Sequence, residues 1–141
     1  MNHFFLNSDL KTKCTIFRES EFNEKNIDVT KCRKKIVGTI AIVKSQATEG
    51  YAWLRRMAVN SNYQKKGIAT ALISEALHFC CEKKYTGVEL VTTECHDNAR
   101  HLYLKKGFHM KQMYHKQIVG GVISILMYEL LYDFKTNKLN V

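Results

Sequence analysis

The clearest chemical signal in the sequence is a turn suited to phosphate binding, at Gln64-Lys65-Lys66-Gly67-Ile68-Ala69. The run follows a predicted strand and opens a predicted helix, which gathers unpaired backbone N–H groups at the positive end of a helix dipole. Gly67 permits a positive φ or a close approach to a ligand, and Ala69 keeps the first turn narrow. A pyrophosphate fits such a turn. On spacing alone, an ordinary strand-to-helix turn fits at least as well, because short glycine motifs are weak signals.

Tyr103 is a second candidate, in this case for proton transfer. It lies on the inner face of a short predicted helix. A phenol with a reference pKa of about 10 can donate a proton at neutral pH. Packing in the core also explains a tyrosine at this position, and its position alone favours packing.

Both candidates need elements to hold them, and the hydrophobic periodicity predicts these elements. Apolar β-branched residues on both faces of 36–44 indicate a strand that is covered on two sides. Asp97 is the expected N-cap of a helix, Gly107 its left-handed C-terminal residue, and Gly120-Gly121 the turn of a hairpin. The predicted elements are strands at 14–18, 36–44 and 51–59, a helix at 68–82, a strand at 88–93, a helix at 97–106, and strands at 108–116 and 122–131.

This order of elements predicts an α/β protein of mixed α+β character, with one mixed sheet flanked by helices. The strand–helix–strand step from residue 51 to 93 is expected to be a right-handed parallel crossover. Residues 1–13 indicate a frayed start or the remnant of a helix, and residues 19–35 a long loop or an insertion. The expected domain organisation is an irregular N-terminal segment at 1–35, one domain at 36–132 and a tail at 133–141.

Composition and charge narrow the function classes without choosing one. The 141 residues suffice for a single domain with its own core. A net charge of +9 favours an anionic partner, and the options are nucleic acid, a lipid surface or a phosphorylated cofactor. No RNP, KH or helix-turn-helix pattern occurs. A basic nucleic-acid-binding module is therefore the weaker alternative, and we expect no nucleic acid partner.

The cysteines and histidines do not form a recognisable site in the sequence. Five cysteines, an odd number without a CxxC spacing, favour reduced thiols over a disulfide framework. Cys95-His96 and His101 lie close together, but there is no four-ligand zinc spacing, so we expect no metal. No signal peptide is visible, and the apolar stretch 118–131 is too short and too polar to span a bilayer. These features predict a cytoplasmic location.

Other short sequence motifs lie before and after the phosphate turn, which we define as residues 64–69. They are Leu54-Arg55-Arg56-Met57-Ala58-Val59 before it, and Asn98-Ala99, Leu102-Tyr103 and Gly107-Phe108 after it. In this order the runs resemble the signature of the GNAT N-acetyltransferases, whose phosphate motif is matched at Gln64, Gly67 and Ala69. The Leu-Arg-Arg-Met run and Thr92-Thr93 are most similar to the camello-type subgroup. The resemblance is good over residues 36–116, extends to residue 131, and is absent before about residue 30.

The resemblance implies the GNAT fold and an acyltransferase that moves an acetyl group from acetyl-CoA to a primary amine. The amine, on a small molecule, a cysteine conjugate or a protein lysine, would attack the thioester directly. The Met57–Val59 strand would pair with the pantetheine arm and offer a backbone N–H to the oxyanion, and Tyr103 would protonate the departing thiolate. The residues implied for the cofactor are Met57, Ala58, Val59, Gln64, Lys65, Lys66, Gly67, Ile68, Ala69, Thr70 and Asn98. A CoA-binding domain without catalysis is the alternative.

The proton on the acceptor amine also needs a destination. Many relatives place a glutamate twelve positions before the tyrosine, and this chain has Val91 there. Glu89 lies two residues earlier on the same strand face, and Glu94 and His96 lie just past the strand end. Glu94 and His96 are equal candidates for the base, although a loop histidine is more often simply solvated. A water relay to a distant carboxylate is a third option.

The N-terminal part departs from the family pattern. GNAT domains normally begin with a strand and two helices that wall the acceptor site, and residues 1–35 are not expected to supply them. Camello-type relatives also carry an apolar membrane segment ahead of the domain, and a longer form with that segment would lie at the endoplasmic reticulum membrane. An open acceptor site predicts good acetyl-CoA affinity with slow or unselective transfer. Its exposed apolar surface favours homodimer formation or peripheral membrane contact.

Overall fold

A computed structural model of the chain describes residues 5–7, 12–18 and 36–138. The described residues fall into two compact units. The first unit takes the described residues up to Val43 and Leu54–His78, and the second takes Lys44–Trp53 and the described residues from Phe79 onward. The elements are β1 (Phe5–Asn7), β2 (Thr12–Arg18), β3 (Ile36–Lys44), β4 (Tyr51–Val59), α1 (Ile68–Glu82), β5 (Gly87–Thr93), α2 (Asp97–Lys105), β6 (His109–Ile118), β7 (Ile123–Asp133) and α3 (Phe134–Lys138).

The first unit is an antiparallel set of strands with most of helix α1. Strand β1 pairs with β2, and β2 pairs with β3, with a register shift between Phe17 and Arg18. A Cβ added at Gly38 of β3 would stand 2.9 Å from the Ile68 side chain and 3.1 Å from that of Leu72. Helix and strand therefore touch directly at this glycine. Of the apolar positions whose helical spacing predicted α1, Leu72, Ile73 and Ala76 are buried in this unit, as is Ile68 beside them.

The second unit contains a mixed sheet in the order β4-β5-β7-β6. Strand β4 runs parallel to β5, with Tyr51 opposite Gly87 and Trp53 opposite Glu89. Strand β7 pairs antiparallel with the whole length of β5, and β6 and β7 form an antiparallel hairpin. The parallel β4–β5 pair confirms the predicted parallel step between these strands.

A buried carboxylate joins four parts of the second unit. The Glu89 side chain is fully buried in β5. It accepts hydrogen bonds from the hydroxyls of Ser45 and, at 3.2 Å, Thr48, both in the turn between β3 and β4. The ammonium of Lys111 in β6 lies 3.6 Å from Glu89 and 2.8 Å from Glu129 in β7. Both carboxylate oxygens of Glu89 therefore have a hydrogen-bonding partner, as burial of a charge requires.

Most element predictions are confirmed, and two details were wrong. The strands at 36–44 and 51–59 and the helix at 68–82 have the predicted bounds. Residues 5–7 form a strand rather than the remnant of a helix. Asp97 is not the N-cap of α2, because the 3₁₀ turn Glu94–His96 runs straight into the helix and makes His96 the capping position. The tail expected from residue 133 holds the last residue of β7 and the short helix α3. The expected loop at 19–35 lies outside the described residues.

The glycine predictions at two turns are confirmed. Gly107 has φ 99° directly after α2, and its N–H donates to Leu104 O at 3.1 Å. Gly120 and Gly121, with φ 62° and 87°, form the turn between β6 and β7. Within the described part of the chain, no helix is long and apolar enough to cross a bilayer. The same residues hold no cluster of metal-binding side chains.

Candidate functional site

The turn between β4 and α1 in the first unit contains two residues with a left-handed backbone, one of which is the glycine. Lys65 has φ 60° and Gly67 has φ 80°, so two left-handed residues lie on either side of Lys66. Before them, Asn60 caps the 3₁₀ turn Ser61–Tyr63. The Gln64 side chain donates to Val59 O at 3.3 Å. These contacts reverse the chain between β4 and α1 and set the backbone direction at the helix start.

The start of α1 presents backbone donors. The N–H of Ala71 donates to Gly67 O at 3.0 Å, which begins the helical ladder at Gly67. The N–H groups of the preceding turn, at Ile68, Ala69 and Thr70, precede that first bond and point along the helix axis away from the ladder. A Cβ placed at Gly67 would meet no atom within 4 Å. The backbone here is open to a ligand, and a helix N-terminus of this kind binds anions.

The charge around this turn has one sign. Residues 54–74 carry four lysines and arginines and no aspartate or glutamate. Lys65 and Lys66 are exposed, and the Lys66 ammonium lies 5.2 Å from the centre of the Tyr63 ring. Cations beside a helix N-terminus add to its attraction for phosphate groups. In the first unit the structure thus brings together ten of the eleven residues predicted for the cofactor, all except Asn98.

Strand β4 bends just before the residues predicted to meet the pantetheine arm. Arg56 has φ 53°, a left-handed conformation inside a strand, and its carbonyl accepts a hydrogen bond from the Thr39 hydroxyl at 3.5 Å. Met57 and Val59 are half-buried and Ala58 is exposed. No feature of the sequence predicted this bend, because arginine has no preference for a positive φ.

In the second unit, Tyr103 is the buried residue of α2. Only 5% of it is exposed, and burial raises the pKa of its phenol to about 12. Its ring meets the Phe108 ring edge-on with centres 5.5 Å apart, and Phe108 packs against Tyr132 at 5.3 Å. The tyrosine is therefore a packed core residue that stays protonated well above neutral pH. Both of the roles considered for it remain compatible with this placement.

The two candidate bases have different environments. The Glu94 carboxylate accepts the backbone N–H of Leu126 at 3.1 Å, which continues the hydrogen bonding of β7 past the end of β5. The ring Nδ1 of His96 lies 2.8 Å from the Thr93 hydroxyl. Both side chains are exposed, as is Asn98 in the first turn of α2.

Sequence reasoning missed two charged contacts in this unit. The guanidinium of Arg100 lies 4.3 Å from the centre of the Tyr128 ring and pairs with Asp97 at 2.8 Å. Glu89, considered for its strand face, is engaged by Ser45, Thr48 and Lys111. Asp97 and Arg100 are three residues apart in a helix, and this spacing could have indicated their ion pair. Glu89 and its partners are far apart in the sequence, so no local pattern indicated their contacts.

Comparison with known proteins decides the family. Residues 5–108 match the Acetyltransferase (GNAT) family. The chain belongs to the GNAT family. N-acetylaspartate synthetase of Xenopus tropicalis is 33% identical over 104 residues, which are 74% of this chain and 38% of that protein. N-acetyltransferase 8B of Rattus norvegicus is 30% identical over 109 residues, which are 75% of this chain and 49% of the relative.

This GNAT chain spans less than half the length of these two curated relatives. An acetyltransferase of Bacillus anthracis, solved in complex with acetyl coenzyme A, matches its fold with a TM-score of 0.69 and 20% identity, over 92% of this chain and 66% of that one. The GNAT fold, a mixed sheet with helices, is thereby confirmed. The match to N-acetyltransferase 8B confirms the similarity to the camello-type subgroup.

We predict that Tyr103→Phe makes the free energy of unfolding less sensitive to high pH, because it removes a phenol whose pKa is raised in the folded state. The folded-state pKa is raised to about 12 from an unfolded value of about 10, so the stabilisation is complete below pH ~10 and is lost as the pH rises through about 12. The wild type should lose about 2 kcal/mol more of its free energy of unfolding than Tyr103→Phe by pH ~12. Urea unfolding of both proteins across this range measures the difference. Parallel pH profiles would show that the phenol is open to water.

Proposed function

We propose that the chain is an N-acetyltransferase that moves the acetyl group of acetyl-CoA onto a primary amine. The phosphate turn carries this proposal, because it joins a left-handed backbone, open N–H groups and excess positive charge at one helix start. The names of the two relatives and the acetyl coenzyme A bound in the Bacillus anthracis structure support the same cofactor.

The cofactor contacts follow from the shape of the first unit. The pyrophosphate accepts hydrogen bonds from the N–H groups of Gly67–Thr70, while Lys65 and Lys66 offset its charge. Gln64 holds the turn through Val59 O at 3.3 Å. The pantetheine arm pairs with Met57–Val59 as an added strand would, after the bend at Arg56. Asn98 of the second unit is the remaining cofactor residue that we propose.

The reaction needs a hydrogen-bond donor for the oxyanion, an acid for the leaving thiolate and a base for the amine proton. The amine nitrogen attacks the thioester carbonyl, and a backbone N–H of Met57–Val59 stabilises the oxyanion of the tetrahedral intermediate. The carbon–sulfur bond then breaks, the Tyr103 phenol gives its proton to the CoA sulfur, and the amine loses one proton to a base. Burial favours the neutral phenol, so Tyr103 is protonated throughout the neutral range.

We propose His96 as the base that takes the amine proton. When Nδ1–H donates to the Thr93 hydroxyl, Nε2 is left as the acceptor nitrogen. Glu94 is the weaker candidate, because one of its oxygens is occupied by the Leu126 N–H. Its carboxylate is better explained as the group that anchors β7 beyond the end of β5.

The acceptor amine, homodimer formation and the compartment stay predictions. The three acceptor classes, which are small amines, cysteine conjugates and protein lysines, are separated by a panel of amines read by mass spectrometry. A chain that binds acetyl-CoA with no turnover on any of them would instead be the non-catalytic CoA-binding domain. The domain bounds 36–132 and a cytoplasmic location are likewise our proposals.

We predict that Gly67→Glu strongly weakens acetyl-CoA binding. The new side chain finds open space, so its main effect is a negative charge among the donors that meet the phosphates. Calorimetry should show affinity reduced by about a hundredfold or more. Gly67→Gln is the matched control, since it has the same size and the same backbone strain at φ 80° without the charge, and it should bind far better. Binding by Gly67→Glu at the wild-type level would place the cofactor elsewhere.

We predict that Tyr103→Phe lowers kcat by about ten- to a thousandfold and leaves acetyl-CoA affinity nearly unchanged. The change keeps the ring that packs on Phe108 and removes the proton that the thiolate needs. Because burial raises the pKa of Tyr103 to about 12, this residue should add no alkaline limb to kcat below pH ~11. Steady-state kinetics with calorimetry separate the two effects. Equal turnover by both proteins would reduce Tyr103 to a packing residue.

We predict that His96→Asn lowers kcat by about a hundredfold, because asparagine cannot take the proton that the amine loses. Glu94→Gln is the comparison, because the amide oxygen can still accept the Leu126 N–H, and its kcat should stay near that of the wild type. Steady-state kinetics of the two variants distinguish the bases. A large loss of kcat in Glu94→Gln alone would assign the role to the carboxylate.

A further inference from the structure

The outer end of the β6–β7 hairpin has exposed apolar side chains that the proposed chemistry does not use. We define residues 118–124 as the hairpin tip. Val119, Val122 and Ile123 are 68%, 83% and 48% exposed, and the two left-handed glycines of the turn lie between them. Three large apolar side chains with this much exposure, all in one turn, form an apolar patch rather than isolated exposed residues.

The hairpin tip extends past the strand that flanks it. Strand β7 pairs with β5 only as far as Met127, opposite Thr93, while its pairing with β6 continues to Ile123 opposite Ile118. Four residues of β7 therefore reach about 13 Å beyond the β5 ladder, at roughly 3.3 Å per residue. The Glu94 carboxylate, which accepts the Leu126 N–H, is an acidic group on this side of the hairpin. Leu126, where this carboxylate binds, lies three residues from Ile123 along β7.

An exposed lysine lies just behind the hairpin tip. Lys116 lies two residues before the tip, about 7 Å along the strand, and is exposed. His115 beside it lies 3.2 Å from the Ser124 hydroxyl through its Nδ1. Lys111, farther back, is already paired with Glu129. An apolar end with a cation just behind it matches the depth profile of a lipid surface.

We propose that the hairpin tip inserts into the headgroup region of an anionic lipid bilayer. Val119, Val122 and Ile123 enter the boundary with the acyl chains, and Lys116 meets the lipid phosphates. Burial of the apolar side chains supplies most of the attraction, and the nearby positive charge makes it selective for anionic lipid. A second copy of the chain is a poorer occupant, because tip-to-tip contact would bring like charges from both copies together.

The test measures binding of the whole chain, without acetyl-CoA, to phosphatidylcholine vesicles with and without phosphatidylserine. Cosedimentation should show binding to the anionic vesicles that weakens with salt. The variant Val119→Ser/Val122→Ser/Ile123→Ser should lower the partition coefficient by about tenfold or more. Leu104→Ser/Met113→Ser is the control, because it makes the same kind of change at exposed positions outside the tip and should stay within about twofold.

A second measurement guards against misfolding of the triple variant. Val122→Trp adds a fluorophore at the tip, and brominated lipid should quench its emission more strongly than that of the native Trp53. Failure of the wild type to bind phosphatidylserine vesicles would overturn the proposal. Equal loss of binding in the control, or wild-type binding by the triple variant, would also overturn it. A triple variant that changes only the oligomeric state would assign the tip to a protein contact instead.

Discussion

The second unit is organised around one buried negative charge. A fully buried carboxylate such as Glu89 is tolerated only when charged or hydrogen-bonding groups replace the water it has lost. Ser45 and Thr48 supply hydroxyls, and Lys111 supplies a cation. These partners come from the turn after β3 and from β6, so the turn, the central strand and the outer hairpin must be in place together before the charge is satisfied.

A single extra residue in β6 brings the cation to this carboxylate. The register of β6 against β7 shifts between Met110 and Gln112, so Lys111 is the inserted residue of a bulge. Its hydrogen bond to Glu129 raises the pKa of the Lys111 ammonium. Burial raises the pKa of the Glu129 carboxyl, but the hydrogen bonds from Lys111 and Gln112 outweigh this and hold the pKa below its usual value. Lys111 and Glu129 are thus both charged at neutral pH.

Sequence patterns predicted the parts of the fold that local periodicity controls. The α1 stripe, the β3 run and the glycines after α2 and β6 each act through their own neighbours, and the structure has them where they were expected. The prediction for the first turn of α2 was wrong at Asp97, because the 3₁₀ turn that precedes the helix moved the capping position to His96. The bend at Arg56 and the partners of Glu89 arise from tertiary contacts, which no single segment encodes. The step from β4 through the turn at 64–69 into α1 was predictable, because its glycine and the apolar positions of the helix are close together in the chain.

The bridge formed by Lys111 also constrains how the sequence can diverge. Loss of the lysine alone would leave Glu89 buried beside Glu129 without a cation, whereas loss of Glu89 alone would leave Lys111 still paired with Glu129. An apolar residue at position 89 removes the fully buried charge, and only then can the lysine be lost without burying an unpaired carboxylate there. The two positions should therefore change in a fixed order, position 89 before position 111. Chains that keep Glu89 but lack the lysine should be rare, since they would bury a carboxylate without its cation.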